Sequence, residues 1–510
     1  MVFPRRSTLH HIVFQRTLLF AILTLMASTL TGQDRGPAAA RLGPAIDSIF
    51  ALNMTPGMAV AVVRGDELVY AGYRGVADVD TQRPVDAGTR FYIASSTKAL
   101  TAFAAALLDQ RGALDLDDPL SKTLPDVALH EGLSPDSITL RDLLTHTHGI
   151  GGFGPVVFRT AFTGDFTPEQ IRALLAIHRP DKNGRAFTYG NIGYNVGGWV
   201  LEVETGRDWK TVVRETVLEP AGMTRTTAHR STLDDSDLAM PHEPTLEGFQ
   251  RIYFSKGDAN MHAAGGHLAT AEDLARWLSL HLSGGRLDGR QVYSEAVVAE
   301  THRLQATQDR DFGPIHRFGW GLGWDLGTWK GDTLIHRFGS YSGFRSHMSF
   351  MPAADLGVVV LVNDGDLGSY LADMVAFLAY DLLRDTHDDA AFSASLAAYR
   401  ERAAGAREQL AAERAERAAR PQTLPHPLDA YTGAFANEML GTMVFRRSGD
   451  GLTVAMGLQQ SAVEVYDGEK NQLRVELTGG GGVVTFQFDP GGDRASGLTF
   501  GGFPFERVIP

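Results

Sequence analysis

Residues 95–111 (SSTKALTAFAAALLDQR) constrain the fold most, because they predict a helix that is apolar on almost every side. The stretch contains no Gly or Pro and ends at Gly112, a residue typical of helix C-termini. A helix that is apolar all round has to be buried inside a sizeable domain. A chain of 510 residues is long enough for such a domain and at least one appendage. We therefore expect two or three domains.

Strands are predicted on both sides of this helix. Residues 57–78 (GMAVAVVRGDELVYAGYRGVAD) contain two β-branched or aromatic runs around Arg64-Gly65-Asp66, a pattern typical of a β-hairpin. Strand-like runs recur at 347–351 and 357–362. Between and after these runs, apolar periodicity predicts helices at 140–144, 195–204, 270–282 and 372–383. The pattern favours an α+β, or mixed α/β, domain.

The composition changes near Asp388. Residues 388–422 are rich in Ala, Glu and Arg with few large apolar side chains, which predicts an exposed helical linker. Residues 423–510 contain short apolar runs such as TMVF, LTVAM and AVEVY, with turn signals at Asp450-Gly451 and Asp467-Gly468. These runs predict a small C-terminal antiparallel β domain. The main domain is then expected over residues 34–387.

The N-terminal segment predicts export. Arg5, Arg6 and Arg16 precede the charge-free run 17–33, whose centre is LLFAILTLMA, as in a secretory signal peptide. The alternative is a membrane anchor, but the strongly apolar part is about half of the roughly 20 residues needed to span a bilayer. We expect residues 1–33 to be a signal peptide and the mature protein to be periplasmic or secreted, without a stable membrane span.

Composition and missing motifs exclude several functions. The formal net charge of −13 and the lack of a basic stripe argue against a nucleic-acid partner. The chain has no Cys, which excludes disulfides, thiolate metal sites and a cysteine nucleophile. It also lacks HExxH, GxxxxGK[ST], a strand-linked GxGxxG and the Gly-x-Ser-x-Gly elbow. We expect no metal and no cofactor.

The candidate nucleophile is Ser95, at the start of the apolar helix. Residues i and i+3 of a helix share a face, so the amine of Lys98 is within reach of the Ser95 hydroxyl. If burial and nearby positive charge lower the pKa of Lys98, its free amine can take the proton of Ser95. The backbone N–H of Ser95 can bind a developing oxyanion. The alternative is an ordinary cap, in which Ser95 or Ser96 closes the helix and Lys98 is solvated.

Two further segments carry groups suited to the same chemistry. Tyr189 and Asn191 lie in a Gly-rich loop before a predicted helix, where a phenol can shuttle a proton and an amide can bind a carbonyl. The alternative is a loop that is merely hydrogen-bonded. Residues 336–344 (HRFGSYSGF) precede a strand, and their small residues let an edge strand approach a ligand, while a cation there attracts a carboxylate.

In this order and spacing, the three segments resemble serine β-lactamase-like hydrolases of the class C β-lactamase and DD-peptidase type, which include penicillin-binding proteins, D-aminopeptidases and family VIII esterases. The likeness covers roughly residues 40–385 and includes ITLRDLLTHTHGI (138–150), AAGGHLATAEDLARWL (263–278) and FGWGLGW (318–324). It implies a β-lactamase/transpeptidase-like antiparallel sheet flanked by helices. The C-terminal domain resembles the lipocalin-like, β-barrel appendage that often follows such hydrolases.

The resemblance also implies roles for individual residues. Ser95 is the implied nucleophile, Lys98 its activating partner, Tyr189 the general base and acid, and Asn191 the group that orients the substrate and Lys98. Backbone N–H groups of Ser95 and Ser340 are the implied oxyanion hole.

The chain departs from the family pattern at two positions. The family usually has Lys-Thr-Gly or His-x-Gly where this chain has His336-Arg337-Phe338-Gly339, so either His336 or Arg337 fills the cationic, substrate-binding position beside Gly339 and Ser340. His148 replaces the usual Ser of LLTHTSG, and is expected to be a hydrogen-bonded histidine behind the cleft or an extra imidazole within it. The missing Lys-Thr-Gly lysine disfavours a dedicated β-lactamase.

We therefore expect an exported serine hydrolase that acts on a small-molecule ester, amide or peptide substrate. The C-terminal domain is expected to be either a wall that shapes substrate access or a passive module. The first alternative function is a penicillin-binding-like D-peptidase or a β-lactamase. An alternative of another class is a non-catalytic protein that binds a peptidoglycan peptide or a partner.

Overall fold

The computed structural model describes residues 37–508 except Phe153, Ser255 and Gly479. The predicted signal peptide, residues 1–33, lies outside the described residues. Across the part of the chain that is described, no helix has both the length and the apolar character needed to cross a membrane.

Among the described residues, the first domain contains fifteen strands, nine of which form one antiparallel sheet. The strands are β1 Gly57–Arg64, β2 Glu67–Asp78, β3 Arg83–Pro84, β4 Phe91–Tyr92, β5 His242–Pro244, β6 Phe249–Arg251, β7 Leu268–Ala269, β8 Arg286–Leu287, β9 Arg290–Gln291, β10 Ala306–Phe312, β11 Ile315–Trp320, β12 Asp325–Trp329, β13 Asp332–Tyr341, β14 Phe344–Met351 and β15 Leu356–Val362. The order across the large sheet is β10-β11-β12-β13-β14-β15-β1-β2-β3. The hairpin β1-β2 therefore completes a sheet whose other long strands come from residues 306–362.

Helices cover the sheet and connect the domains. They are α1 Pro37–Phe50, α2 Thr97–Gln110, α3 Leu120–Thr123, α4 Leu140–Leu144, α5 Pro155–Phe158, α6 Pro168–Leu175, α7 Ile192–Thr205, α8 Trp209–Val213, α9 Ala271–Leu282, α10 Glu295–His302, α11 Leu367–Leu383 and α12 Asp389–Ala419. A π-helical segment at Arg159–Thr163 follows α5 directly. The predicted mixture of helices with a large antiparallel sheet is confirmed.

The central strands are buried on both faces. Along β15, Val358, Val360 and Val362 pack with α1 and α11, whereas Val359 and Leu361 pack in the larger core with α2 and α9. Side chains alternate across a strand, so a continuous apolar run such as LGVVVLV has to be covered by helices on both sides.

The helix α2 runs through the larger core, and residues 97–108 are all buried. Its apolar character in every direction reflects this position, as predicted. The helix begins at Thr97, and Ser95 lies just before it in the 3-10 turn Ala94–Ser96.

One structural prediction is wrong. The sequence predicts an edge strand at residues 336–344. The structure instead has β13 there, an interior strand that pairs with β12 on one side and β14 on the other. The register with β12 ends at the pair Asp325 and His336, so in the part of the chain that is described β13 has no neighbouring strand on that side from Arg337 onward. The expected open backbone exists, but at one end of an interior strand. The sequence analysis did not predict the strands at 306–341, because they are polar, are interrupted by Gly and show no clear alternation of apolar and polar residues.

The C-terminal residues form a closed eight-stranded antiparallel barrel, as the predicted β-barrel-like domain required. Its strands are β16 Gly433–Asn437, β17 Gly441–Ser448, β18 Gly451–Met456, β19 Gln459–Asp467, β20 Gln472–Val475, β21 Gly482–Phe488, β22 Ala495–Phe500 and β23 Phe503–Arg507. Alternate residues point into its own core, which includes Phe435, Phe445 and Phe486. The helix α12 precedes the barrel. The domain boundaries at residues 387 and 422 stay predictions.

The barrel docks on the π-helical segment through backbone carbonyls. Arg159 is 4% exposed, and its guanidinium donates hydrogen bonds to the carbonyls of Glu438 and Met439 in the barrel, each at 2.7 Å, and to that of Asp165. The hairpin between β18 and β19 binds the same segment: Leu458 N–H donates to the Thr163 carbonyl at 2.7 Å. The two domains are therefore joined by specific hydrogen bonds as well as by α12.

Replacing Arg159 with methionine should weaken this junction, because three carbonyls lose a charged donor while the apolar stem is kept. A hydrogen bond to a charged group contributes about 1.5–3 kcal/mol, so we expect the free energy of unfolding to fall by at least about 2 kcal/mol. Denaturant unfolding measures the loss. Arg446→Met, at an exposed arginine of the barrel, is the matched control and should change stability by less than about 0.5 kcal/mol. Equal stability of the Arg159 variant and the wild type would contradict this account of the junction.

Candidate active site

Ser95 lies in a tight turn between β4 and α2. Ala94 has φ of 46°, a left-handed conformation that is unusual for a residue with a Cβ and is found where the surrounding structure imposes it. Among residues 91–100, Ser95 alone is partly exposed, and its neighbours on both sides are buried. The turn therefore presents one hydroxyl to solvent at the N-terminus of a buried helix.

Lys98 is buried, with 0% of its surface exposed. Its Nζ donates hydrogen bonds to Asn191 Oδ1 at 2.8 Å and to the Ala264 carbonyl at 2.7 Å, and it lies 3.2 Å from Ser95 Oγ. Ser96 forms no side-chain cap at α2. The alternative in which Ser95 or Ser96 caps the helix and Lys98 is solvated is therefore wrong.

The predicted loop brings Tyr189 and Asn191 to the same place. Asn191 is the N-cap of α7, but its side chain binds Lys98 instead of capping the helix. The Tyr189 ring lies 5.1 Å from Lys98 Nζ, and its hydroxyl is in hydrogen-bonding contact with the side chains of Ser95 and Lys98. Tyr189 is 38% exposed, so one side of the ring faces solvent.

The environment shifts the pKa of both candidate bases toward neutrality. Burial lowers the pKa of Lys98 to about 8; the nearby Tyr189 oxygen opposes this shift, and the positive charge of Arg337 adds to it. Burial alone would raise the pKa of Tyr189, but Arg337 and then Lys98 outweigh it, so the pKa of Tyr189 is lowered. Shifts of this kind next to an exposed hydroxyl are typical of sites for acid–base chemistry.

The structure separates the two candidates for the cationic position. Arg337 Nη2 donates to the Tyr189 hydroxyl at 2.9 Å, so Arg337 faces the site. His336 is 0% exposed and lies on the other face of β13, where its ring stacks on Phe338 and accepts from Arg317 Nε. Because side chains alternate across a strand, only one of two adjacent residues can face the cleft. This placement favours Arg337 over His336 for the cationic position.

Gly339 allows the end of β13 to approach the serine turn. A Cβ at Gly339 would clash with the carbonyl oxygen of Ile93, two residues before Ser95. The next residue, Ser340, is exposed on the same unpaired stretch of β13. The backbones that carry the predicted oxyanion donors are thus adjacent. The roles of Ser95, Lys98, Tyr189, Asn191, Arg337, Gly339 and Ser340 stay predictions.

Three residues that the sequence did not single out complete the surroundings. Asp325, 1% exposed, accepts a hydrogen bond from Arg337 Nη1 at 2.9 Å. The rings of His146 and Trp320 pack against Tyr189, with centroids at 4.7 Å and 5.8 Å. All three lie in or next to the motifs 138–150 and 318–324, so those motifs were the available signal.

His148 is a buried, hydrogen-bonded histidine. Its Nδ1 accepts the Ile150 N–H at 2.9 Å, and burial lowers its pKa to about 4, so the ring is neutral. It packs beneath Gly193 of α7. The first of the two expectations for this residue holds.

A second hydroxyl has triad-like partners. Asp373 Oδ1 lies 2.8 Å from His347 Nδ1, and His347 Nε2 lies 2.8 Å from Ser349 Oγ. Ser349 and His347 are both 0% exposed, and Ser349 also contacts the Tyr380 hydroxyl at 2.9 Å. Because no substrate can reach Ser349, this relay is structural.

Two clefts begin at residues of the predicted segments around 189–191 and 336–344. One, of about 600 Å³, begins at Tyr189 and runs between residues 185–187 and 305–310. The other, also about 600 Å³, begins at Tyr341 and Ser342 and has the barrel strands β18 and β19 as its far wall. The barrel therefore lines a cleft that starts at the end of β13.

Comparison with known proteins identifies relatives over most of the first domain. The family model described as Beta-lactamase matches residues 46–381. The chain is 26% identical over 311 residues to Protein flp of Staphylococcus aureus, covering 60% of this chain and 59% of that protein, so it spans about three fifths of the length of these relatives. It is 29% identical over 346 residues to Penicillin-binding protein 4 of Amycolatopsis lactamdurans, covering 66% of this chain and 88% of the relative.

A solved structure shares the overall fold. The octameric penicillin-binding protein homologue from Pyrococcus abyssi superposes with a TM-score of 0.57 at 22% sequence identity, covering 91% of this chain and 99% of that one. The coverage includes the C-terminal region as well as the sheet domain. At this level of identity the likeness concerns the fold alone.

Substituting alanine for Gly339 should disturb the site more than the fold. The added Cβ pushes the end of β13 away from the Ile93 carbonyl, and a misplacement of about 1 Å in a site costs on the order of 100-fold in rate. We expect the rate of covalent labelling at Ser95 by a fluorophosphonate to fall about 100-fold. Gly248→Ala, where the added Cβ has open space, is the matched control. Labelling rates of the Gly339 variant within twofold of wild type would show that the close approach is not needed.

Proposed function

The chain belongs to the beta-lactamase family of serine hydrolases, and on this premise we propose that it cleaves ester or amide bonds of small acyl or peptide substrates through an acyl-enzyme on Ser95. One observation carries the proposal: a partly exposed serine hydroxyl lies 3.2 Å from a buried amine that has no carboxylate partner among the described residues. Such an amine is able to act as a base near neutral pH.

The hydrogen bonds of Lys98 suit that role. A neutral amine has two N–H groups and one lone pair. Asn191 Oδ1 and the Ala264 carbonyl accept the two N–H groups, which leaves the lone pair directed to Ser95 Oγ. When Lys98 is protonated, the third N–H replaces the lone pair and Ser95 Oγ accepts it. The same three neighbours therefore satisfy both protonation states.

Acylation follows from this geometry. The Ser95 O–H proton passes to Lys98 Nζ, directly or through the Tyr189 hydroxyl, as Oγ forms a bond to the carbonyl carbon of the substrate. The tetrahedral oxyanion accepts hydrogen bonds from the backbone N–H groups of Ser95 and Ser340. When the oxyanion collapses, the bond to the leaving alcohol or amine breaks, and the leaving group takes the proton. Water then attacks the acyl carbon, the acid departs and the Ser95 O–H is restored.

Arg337 serves the site by fixing Tyr189. Its guanidinium donates to the Tyr189 hydroxyl, to Asp325 Oδ2 and to the Phe338 carbonyl, so it holds the phenol with one N–H and is itself anchored by the others. A guanidinium engaged in this way is less available to bind a substrate carboxylate than a free lysine. This supports hydrolysis of esters, amides or peptides over a dedicated β-lactamase activity.

The two clefts support a substrate with groups on both sides of the scissile bond. The cleft beside Tyr189 suits one part of the substrate, and the cleft between Tyr341 and the barrel suits the other. We assign the barrel the role of a wall for this second part. The N-terminal signal-like segment supports a location outside the cytoplasm, periplasmic or secreted.

Covalent labelling tests the nucleophile. Intact mass after exposure to a fluorophosphonate should show a single adduct on the wild type and none on Ser95→Ala, because removing the hydroxyl removes the attacking atom. Ser349→Ala is the matched control, since this serine has a histidine partner but no exposure, and its adduct should persist. An unlabelled wild-type protein would favour the non-catalytic binding protein, and an adduct on Ser95→Ala would place the nucleophile elsewhere.

The pH dependence of acylation tests the base. The pKa of Lys98 is lowered to about 8, so the neutral amine is the minor form at pH 6 and the major form at pH 9. We expect the labelling rate to rise about tenfold per pH unit below pH 8 and to level off above it. A rate that is flat between pH 6 and 9, or that falls with rising pH, would exclude Lys98 as the base. Lys98→Met should lose this ascending limb together with most of the rate.

A further inference from the structure

A third cavity, of about 260 Å³, lies between α6, α7, α8 and residues 258–263. Ser95, Lys98 and Tyr189 do not line it. Asn195, Trp199 and Glu202 face it at i, i+4 and i+7 of α7, so one face of that helix forms a wall. Pockets for drug-sized ligands span roughly 300–1,000 Å³, so the occupant of this one is smaller.

The walls carry charges of both signs, with Glu202 and Asp258 opposite in charge to Lys210 and Arg172. Both side chains are partly desolvated, which disfavours their charged forms. Burial therefore raises the pKa of Glu202 and lowers the pKa of Lys210. Glu202 accepts the Trp209 N–H at 3.2 Å, and Lys210 donates to the Asp258 carbonyl at 2.8 Å. Within the described ranges, neither is paired with a group of opposite charge. Arg172 adds a second cation at the exposed rim.

Apart from the Asp258 carboxylate, which accepts hydrogen bonds from the Ser231 N–H and hydroxyl, the rest of the lining is apolar or neutral. Trp199, Trp209 and Phe166 supply aromatic surface. At the buried end, Thr160 Oγ1 donates to the Val156 carbonyl and accepts from Asn195 Nδ2, so Asn195 Oδ1 faces His262 Nδ1 at 2.9 Å. His262 Nδ1 therefore carries the proton. Burial lowers the pKa of His262 well below its usual value, so the ring is neutral.

From this arrangement we propose that the cavity is a second ligand site, which binds a zwitterion of amino-acid size with an apolar side chain. The ammonium of the ligand pairs with Glu202, its carboxylate pairs with Lys210 and Arg172, and its side chain packs against the two tryptophans. A simple anion would pair with Lys210 and place a like charge beside the half-buried Glu202, and a simple amine would do the reverse. A zwitterion compensates both wall charges at once.

Calorimetry on the full Ser95→Ala chain tests the ligand class. Phenylalanine, in both enantiomers, is the probe, and 3-phenylpropionate and phenethylamine are the matched compounds that each lack one charge. We expect at least one enantiomer to bind at least tenfold more tightly than either singly charged compound. Equal binding of all three, or no binding of phenylalanine, would overturn the proposal. Because the variant lacks the serine nucleophile, the result is independent of whether the chain is a hydrolase.

Two substitutions on α7 locate the binding. Glu202→Gln keeps an oxygen acceptor for the Trp209 N–H and removes only the charge, so the fold is preserved and phenylalanine affinity should fall at least tenfold. Glu204→Gln makes the same change outside the cavity and should leave the affinity within twofold. Unchanged affinity in the Glu202 variant would place the amino acid elsewhere, including the Ser95 cleft, and would overturn the assignment.

Discussion

The candidate active site depends on the burial of one amine. Lys98 is in the first turn of a helix whose residues 97–108 are all buried, so its ammonium cannot be hydrated and its pKa falls to about 8. Three hydrogen-bond acceptors around the amine offset part of the cost of its burial: the Asn191 amide, the Ala264 carbonyl and the Ser95 hydroxyl. Each comes from a different part of the chain, and the antiparallel sheet and α7 hold them together. A carboxylate in any of these places would stabilise the ammonium and raise the pKa again.

Arg337 has a double effect on the same chemistry. Its positive charge adds to the burial that lowers the pKa of Lys98, and it outweighs burial at Tyr189, where it lowers the pKa of the phenol. Asp325 accepts a hydrogen bond from the same guanidinium, so this carboxylate is already engaged with a cation. One arginine therefore lowers the pKa of both groups that could accept a proton from Ser95. A guanidinium suits this position because it can donate to Tyr189 and Asp325 at the same time.

Local patterns predicted the elements that need no long-range information. The α2 helix follows from an apolar run without Gly or Pro, and the β1-β2 hairpin and the barrel strands follow from apolar runs and turn signals. Ser95, Lys98, Tyr189 and Asn191 follow from motif spacing. The choice between His336 and Arg337 could not be made from sequence, because it depends on which face of β13 meets the cleft, and that is set by pairing with β12 and β14. Asp325 and the Arg159 junction escaped prediction for the same reason: their partners lie far away in the chain.

Exposure, and not the set of partners, distinguishes the two serines with nearby bases. Ser349 has the more familiar partners, a histidine that is itself oriented by Asp373, whereas Ser95 has only an amine and a phenol. Yet Ser349 lies inside the layer between β14 and α11, where the Tyr380 hydroxyl takes its remaining hydrogen-bonding capacity. The left-handed conformation of Ala94 exposes the Ser95 hydroxyl at the edge of the core. Gly339 allows β13 to pass close to the turn that contains Ser95. A reactive serine therefore requires a backbone that exposes the hydroxyl while keeping its base buried, and in the described chain the turn before α2 meets both conditions.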